Sequence, residues 1–335
     1  MVKLERKGRR ALSRRRRRET ENMNIVSKRY WFLSLSAVLV AIALTALATP
    51  PRLNLGIDFT SGTSFDLAFE TDVQTEDVRR ALTSAGHGDA IIQKSGDGEF
   101  FVRTRDLGQI GINEIRAEIN ERIGTDYRIP SVTSVGSSVA ANTVRNAIIA
   151  VLVAAGFVML YVMYAFRNIP KSYRYAIAAI VALGHDVFIV LGLFAILGQV
   201  IDAEVNAIFV VGILTVIGYS VHDTIVIFDR IRENVSLAPS RPFATSVNIS
   251  INESMARSIS TSITTAMTIV AMLLFGGETL RDFLIVLLSG VIIGTYSSVF
   301  LAAQLLVAWD NGDYRRLKFW GRGGGASADR AERGC

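Results

Sequence analysis

The chain has 335 residues, half of them hydrophobic, with a formal net charge of +6 and a mean hydropathy of +0.35. Its apolar residues gather in long blocks rather than at helix or strand periods, which excludes an ordinary soluble domain and indicates an integral membrane protein. The one cysteine, Cys335, and three scattered histidines, His87, His185 and His222, offer no disulfide framework and no metal-ligand spacing, so neither a metal nor a cofactor is expected.

Residues 1–29 read as a basic cytoplasmic tail whose charge is concentrated around Arg14-Arg15-Arg16-Arg17-Arg18. Placed just before an apolar span, such a run suits anionic lipid better than nucleic acid, and no nucleic acid is expected. The first transmembrane helix covers 30–49. It is longer than a signal-peptide core, follows too long a leader, and ends at Pro50-Pro51, so it reads as uncleaved.

Residues 50–143 contain no further spanning block. Thr63 to Phe69 alternates like a half-buried strand, and Thr75 stands as an N-cap before acids in the first turn of a helix that stops at Gly86. Ala90–Gln93 and Phe100–Arg103 flank Ser95-Gly96-Asp97-Gly98, which suits a hairpin turn. Ile112, Ile115, Ile119 and Ile123 recur at helical spacing, and Tyr127 to Val135 is a last extended run. The order β-α-β-β-α-β is the ferredoxin-like pattern, with Ile112, Ile115 and Ile119 facing inward.

Transmembrane helices 2–6 follow within 144–309, at 146–166, 175–197, 205–228, 257–275 and 283–309, with a polar connection over 235–256 and a basic, glycine-rich cytoplasmic tail at 310–335. The fold class is thus a polytopic α-helical membrane protein of six transmembrane helices, with a small α+β ferredoxin-like extracytoplasmic domain between helices 1 and 2. Arginine and lysine concentrate at the N-terminus, around Arg167, around Arg230 and in the C-terminal tail, whereas the opposite short loops hold only Arg281. Both termini are therefore expected in the cytoplasm and residues 52–143 outside.

Inside the fourth span lie His222 and Asp223, the latter separated by five residues from the charged exit that starts at Asp229. A carboxylate at that depth costs about 2.5–3.5 kcal/mol on insertion scales, so it faces a partner or a water path. Two readings stand: a packing residue satisfied by a neighbouring hydroxyl or arginine, or a proton or ion relay. Arg257 opens the fifth span and is followed by Thr261, Thr264, Thr265 and Thr268 on one helical stripe, which by itself is also common interhelical glue. The two helices run in opposite directions, so Asp223 and Arg257 can meet at similar depth. Asp186 lies near the middle of the third span beside His185, and either histidine could support it or be a satisfied core imidazole. No nucleophile–base arrangement or phosphate-cradling glycine loop accompanies these groups, and the chain is not expected to be an enzyme.

With Gly56-Ile57-Asp58-Phe59 after the first helix, Ser220-Val221-His222-Asp223-Thr224 leading to Asp229-Arg230-Ile231-Arg232-Glu233-Asn234, and Arg257 followed by Ser260-Thr261-Ser262, the chain resembles the SecD/SecF family of protein-export membrane proteins, within the resistance-nodulation-division superfamily. The resemblance covers roughly residues 25–320 and falls on the smaller, SecF half. It implies that the proton motive force assists preprotein translocation and release at the outer side of the cytoplasmic membrane. Asp223 and Arg257 stand at the positions of the family's proton-pathway residues, with H+ or Na+ as coupling ion. Partners implied are a SecD-like subunit in a heteromer, the SecYEG channel and unfolded preprotein. The family motif commonly continues Gly-Gly, whereas here it continues Ser61-Gly62. Half of a lipid or drug exporter of the same superfamily, and a scaffold of the channel that moves no protons, are the rival readings.

Overall fold

The computed structural model describes residues 23–312, apart from 51, 97, 168, 170, 278 and 279. The arginine run Arg14–Arg18, the turn residue Asp97, the breaker Pro51, the loop residues Asn168 and Pro170, Glu278, Thr279 and the tail beyond 312 therefore lie outside the described residues.

Among the described residues, six helices are long and apolar enough to cross a membrane. They are α1 (Arg29–Ala48), which continues a 3-10 turn at Val26–Lys28, then α5 (Ser137–Ala165), α6 (Tyr173–Val200), α7 (Ala207–Leu237), α8 (Phe243–Phe275) and a last span made of α9 (Arg281–Tyr296), a π turn (Ser297–Ala302) and α10 (Ala303–Asp310). Between α1 and α5 come α2 (Ile57–Thr60), β1 (Gly62–Phe69), α3 (Thr75–Ser84), β2 (Ile91–Gly96), β3 (Glu99–Thr104), α4 (Gly108–Arg122), β4 (Tyr127–Arg128) and β5 (Val132–Val135).

The helices outrun the apolar blocks. With 31 and 33 residues, α7 and α8 are about 46–50 Å long at 1.5 Å per residue, well beyond a hydrocarbon core of about 30 Å. Most of the stretch read from sequence as a polar connection is consequently helix, with only the turn around Pro239 and Pro242 between the two rods. Its buried face is half serine: Ser246, Val247, Ser250, Ile251 and Ser254 lie at helical spacing. A buried stripe made of hydroxyls and aliphatics does not stand out as apolar, although its period is that of a helix.

In the domain between α1 and α5 the antiparallel sheet has the order β2-β3-β1-β4, and β5 also pairs with β1. Inward-facing Phe65, Leu67 and Phe69 of β1, Phe100 and Val102 of β3, Val78, Ala81 and Leu82 of α3, and Ile115 and Ile119 of α4 form one apolar core, with Ile112 partly buried against it. Both helices therefore cover one face of the sheet. The single extended run expected from Tyr127 to Val135 is divided, because Pro130 cannot donate to the ladder; β4 pairs with the end of β1 and β5 with its start. Thr75 is not the N-cap. Helix α3 begins at Thr75 itself after Gln74, whose side chain makes no cap bond.

The Ser61-Gly62 departure has a backbone consequence. Ser61 sits at φ 62°, ψ 165° and Gly62 at φ 133°, and a Cβ at Gly62 would lie 2.5 Å from the Thr104 carbonyl oxygen. Both positions are of the kind that glycine occupies without cost, and a serine in this region stores about 1–3 kcal/mol. Ser61→Gly should therefore stabilise the domain by about 1 kcal/mol after the extra unfolded-state entropy of glycine is deducted, measured as a rise of a few degrees in its thermal midpoint.

In the membrane bundle α1 packs against α6, while α9 lies along α7 and α8. One core, in the half of the bundle away from the sheet domain, gathers Phe166, Tyr175, Phe228, Ile231, Ile251 and Leu306, and a second, in the half nearer that domain, gathers Phe194, Phe209, Ile213, Val216 and Ile217. Helix α5 is almost wholly on the outside, presenting Leu152, Phe157 and Leu160, as a lipid-facing helix must. The closest helix approaches are made by glycine. On α9, Gly290 and Gly294 are four apart, and a Cβ on them would fall 2.0 Å from Val216 Cγ2 and 3.0 Å from Ser220 Cβ of α7. This small-xxx-small pattern escaped the sequence reading because it lies inside an uninterrupted apolar block.

Candidate functional site

Two carboxylates at membrane depth occupy different surroundings. Asp186 on α6 is fully buried. Its Oδ2 accepts hydrogen bonds from Ser220 Oγ of α7 at 2.5 Å and from Ser297 Oγ of the π turn at 2.7 Å, and its Oδ1 lies 3.0 Å from His185 Nδ1. The π turn buries the consecutive residues Ser297 and Ser298 completely, and Ser298 donates to the Ser220 carbonyl at 3.1 Å and lies 2.8 Å from the Thr224 hydroxyl. Such single-turn widenings recur at functional sites. The His185 ring lies over Tyr296, whose hydroxyl donates to the Phe32 carbonyl of α1 at 3.0 Å. Asp186 thus ties together α6, α7 and the last span, with α1 joined through Tyr296. Sequence reading named Asp186 and His185 but not Ser297 or Ser298; the available signal was a pair of hydroxyls in an otherwise apolar span.

Asp223 on α7 is also buried, yet its Oδ2 has no hydrogen-bond partner among the described residues. Ser258 of α8 and its neighbour His222 flank it, and the Ser258 hydroxyl is likewise unpartnered. Arg257 is exposed, and no ion pair joins it to Asp223 within this chain. His222 is exposed too, so the structure groups His185 with Asp186 and leaves His222 on the outer surface of the bundle.

That surface is polar at membrane depth. On α8, Arg257, Thr261, Thr264 and Thr268 are exposed and Thr265 is half-buried; on α7, Thr215, Gly218 and His222 form a parallel exposed stripe. The threonine hydroxyls donate to carbonyls one turn back, for example Thr261 to Arg257 at 2.9 Å and Thr265 to Thr261 at 3.0 Å, which leaves their oxygens able to accept.

At the end of α7 away from the sheet domain a cleft of about 730 Å³ is lined by Tyr161, Asp229, Arg230, Glu233, Glu253 and Arg257 among others. The Asp229–Asn234 motif builds one wall. Arg230 bridges Glu253 of α8 at 2.7 Å and Glu233 at 2.5 Å, Asn234 donates to Ser250 and Glu253, and Arg232 pairs with Asp229 at 2.5 Å. The motif residues clasp α7 to α8 and line the cleft in which Arg257 stands. The other motif works at the opposite end: Asp58 Oδ2 accepts from the Ala207 amide, the first residue of α7, at 2.8 Å. Gly56 lies so close to Asn206 that a Cβ would meet it at 3.1 Å.

Residues 115–312 match the family described as protein export membrane protein SecD/SecF, C-terminal, and residues 47–73 match the SecD/SecF GG motif. The chain is 40% identical over 307 residues to the protein translocase subunit SecF of Thermobaculum terrenum, covering 88% of this chain and 96% of that one. It is 35% identical over 289 residues to the protein translocase subunit SecDF of Thermus thermophilus, covering 84% of this chain and 38% of that one. The crystal structure of SecDF, a translocon-associated membrane protein from Thermus thermophilus, superposes with a TM-score of 0.77 at 34% identity, over 88% of this chain and 39% of that chain. With a family match over more than half of its length and a relative aligned almost end to end, the chain belongs to the SecD/SecF family of protein-export membrane proteins.

Proposed function

We propose that the chain is the SecF-type subunit of a translocase accessory complex, and that protons moving inward through Asp223 drive preprotein translocation and release at the outer face of the cytoplasmic membrane. The observation that carries this reading is Asp223 itself: a buried carboxylate with an unpartnered oxygen, beside an exposed stripe of Arg257, threonines and His222. Lipid is a poor neighbour for such a stripe, because polar groups at membrane depth are costly unless they face protein or water. A second, SecD-like bundle supplies the missing face. Support for that partner comes from relatives in which a SecF-like portion is about two fifths of a longer SecDF chain.

In this reading Arg257, standing in the cytoplasmic cleft, moves toward Asp223 to expel its proton and withdraws to let it load. Arginine suits the part because it stays charged throughout. Asp186, already saturated with donors, holds the helices in register, with His185, Thr261 and Thr265 in support. The β2-β3-β1-β4 order with two helices on one face supports reading the outer domain as ferredoxin-like. The SecYEG channel and unfolded preprotein are the working partners, and anionic lipid meets the basic tails. No cofactor takes part beyond the coupling ion.

The test is preprotein release by the chain reconstituted with its SecD-like partner, with and without a proton gradient, and with a sodium gradient in its place. Gradient-stimulated release is expected; equal release in all three conditions leaves only a scaffold. For orientation, single cysteines in a Cys335→Ser background should report both sides: Asn120→Cys should react with an impermeant reagent from outside and Ser240→Cys only from the cytoplasm. Labelling of Asn120→Cys only from the cytoplasm reverses the topology.

A further inference from the structure

The outer domain meets the bundle through a compact latch. The uncovered face of the sheet points toward the outer ends of the spans, and Arg103 projects from it on β3. Its Nη1 donates to the Leu55 carbonyl at 2.7 Å and to Glu204 Oε1 at 2.9 Å, and its Nη2 donates to Asn54 Oδ1 at 2.8 Å. Both members of the ion pair are nearly buried, with side chains 10% and 12% exposed. Around them the backbones join: Leu55 and Val205 form a parallel β-bridge, the Gly56 amide donates to the Val205 carbonyl, and the Val205 amide donates to Asn54. The Glu204 amide donates to Asp282 Oδ2 of α9 at 2.8 Å, and Gln93 of β2 donates to the Asp202 carbonyl at 3.3 Å. Two residues later α7 begins, capped by Asn206 and held by Asp58.

We propose that Arg103 and Glu204 are positioning residues that fix the outer domain to the first turn of α7, so that movement of the domain and movement of the Asp223 helix are one event. Asp223 lies 16 residues along that helix from Ala207, about 24 Å at 1.5 Å per residue, and a hydrogen-bonded rod transmits displacement over that length. A bidentate guanidinium bound to a carbonyl, an amide oxygen and a carboxylate resists shear better than a point charge, which is why arginine suits the position. The inference rests on the reading of Asp223 as the proton carrier.

The latch also faces the side from which protons enter. The groups around Glu204 are Arg103 from β3, Asp58 from α2, Asp202 from its own loop and Asp282 from α9; Arg281 lines the adjoining cleft with Asp202. Burial pushes the Glu204 carboxyl up, Arg103 pulls it down, and the Asp282, Asp202 and Asp58 carboxylates add to the rise. A carboxyl raised in the docked state binds its proton more tightly there than when undocked. Docking is thus favoured below the ordinary glutamate range of about 4.3 and weakens as pH rises through the elevated docked value.

Spin labels on Asn120→Cys and Val200→Cys, both at exposed positions, measure docking in the reconstituted complex with Cys335→Ser. Arg103→Gln is expected to broaden the distance distribution to longer values and to reduce gradient-driven release to the gradient-independent rate. A disulfide between Leu55→Cys and Val205→Cys should restore both. Glu204→Gln, uncharged but still able to accept from Arg103, should hold the docked distance as pH rises above the ordinary glutamate range, where the parent protein loses docked population. Parent-like distances in Arg103→Gln, release that stays lost after the disulfide has restored docking, or identical pH profiles for the parent and Glu204→Gln would overturn the proposal. A parent complex without gradient stimulation overturns instead the reading of Asp223, while the distances still judge the latch.

Discussion

Asp223→Asn should insert, fold and pair with its partner subunit as the parent does, and should lose gradient-driven stimulation of release entirely. Asparagine keeps the shape and one oxygen of the aspartate, that oxygen can still accept from the neighbouring Ser258, and Oδ2 has no partner to lose among the described residues. It also spares the helix the cost of about 2.5–3.5 kcal/mol assigned to a charge at membrane depth, so stability is expected to hold or rise. What it cannot do is bind and release a proton. The companion substitution at the other carboxylate gives the opposite pattern. Asp186→Asn can keep an oxygen where Ser220 and Ser297 both donate only by turning its amide toward His185 Nδ1, which disturbs that buried contact at about 1–3 kcal/mol, so its main effect falls on bundle stability. Release assays beside thermal unfolding of the purified complex separate the two. Wild-type stimulation in well-folded Asp223→Asn would make Asp223 a packing residue.

Gly290→Val should prevent the bundle from assembling. A Cβ at this position would overlap Val216 Cγ2 at 2.0 Å and Cγ1 at 2.6 Å, and a branched side chain adds two further methyls to the clash. Neither rod can yield locally: Val216 is buried in the core nearer the sheet domain, and four residues further along Gly294 lies against Ser220, which donates to Asp186. Overpacking costs about 1–3 kcal/mol even where neighbours can shift, and here two backbones would have to separate, which would also break the Ser220–Asp186 contact. The expected result is loss of the monodisperse species on size-exclusion chromatography and degradation in cells. Gly290→Ala should be milder, and Gly156→Ala on peripheral α5, where a Cβ meets nothing within 4 Å, should be silent.

The six spans and the element order of the sheet domain were legible in the sequence alone, because both depend on composition along the chain: apolar blocks of spanning length, and turn residues between alternating runs. The sequence also singled out Asp223, Arg257 and Asp186, since a charge within an apolar block is conspicuous without any structure. Tertiary structure decided which of these groups are satisfied. Asp186 finds Ser220 from one helix and Ser297 from another, partners 34 and 111 residues away, whereas Asp223 Oδ2 has no partner among the described residues and no ion pair joins Asp223 to Arg257. Hydroxyls in apolar helices carry no one-dimensional mark of what they face, because each can bond back to its own carbonyls as Thr261 and Thr265 do. The same holds for Gly290, whose close approach to Val216 depends on the angle between two helices, and for the latch, where Arg103 and Glu204 meet across 101 residues of chain. Local pattern sets what each element is. Pairing between distant elements depends on how the chain closes on itself, and that is a property of packing.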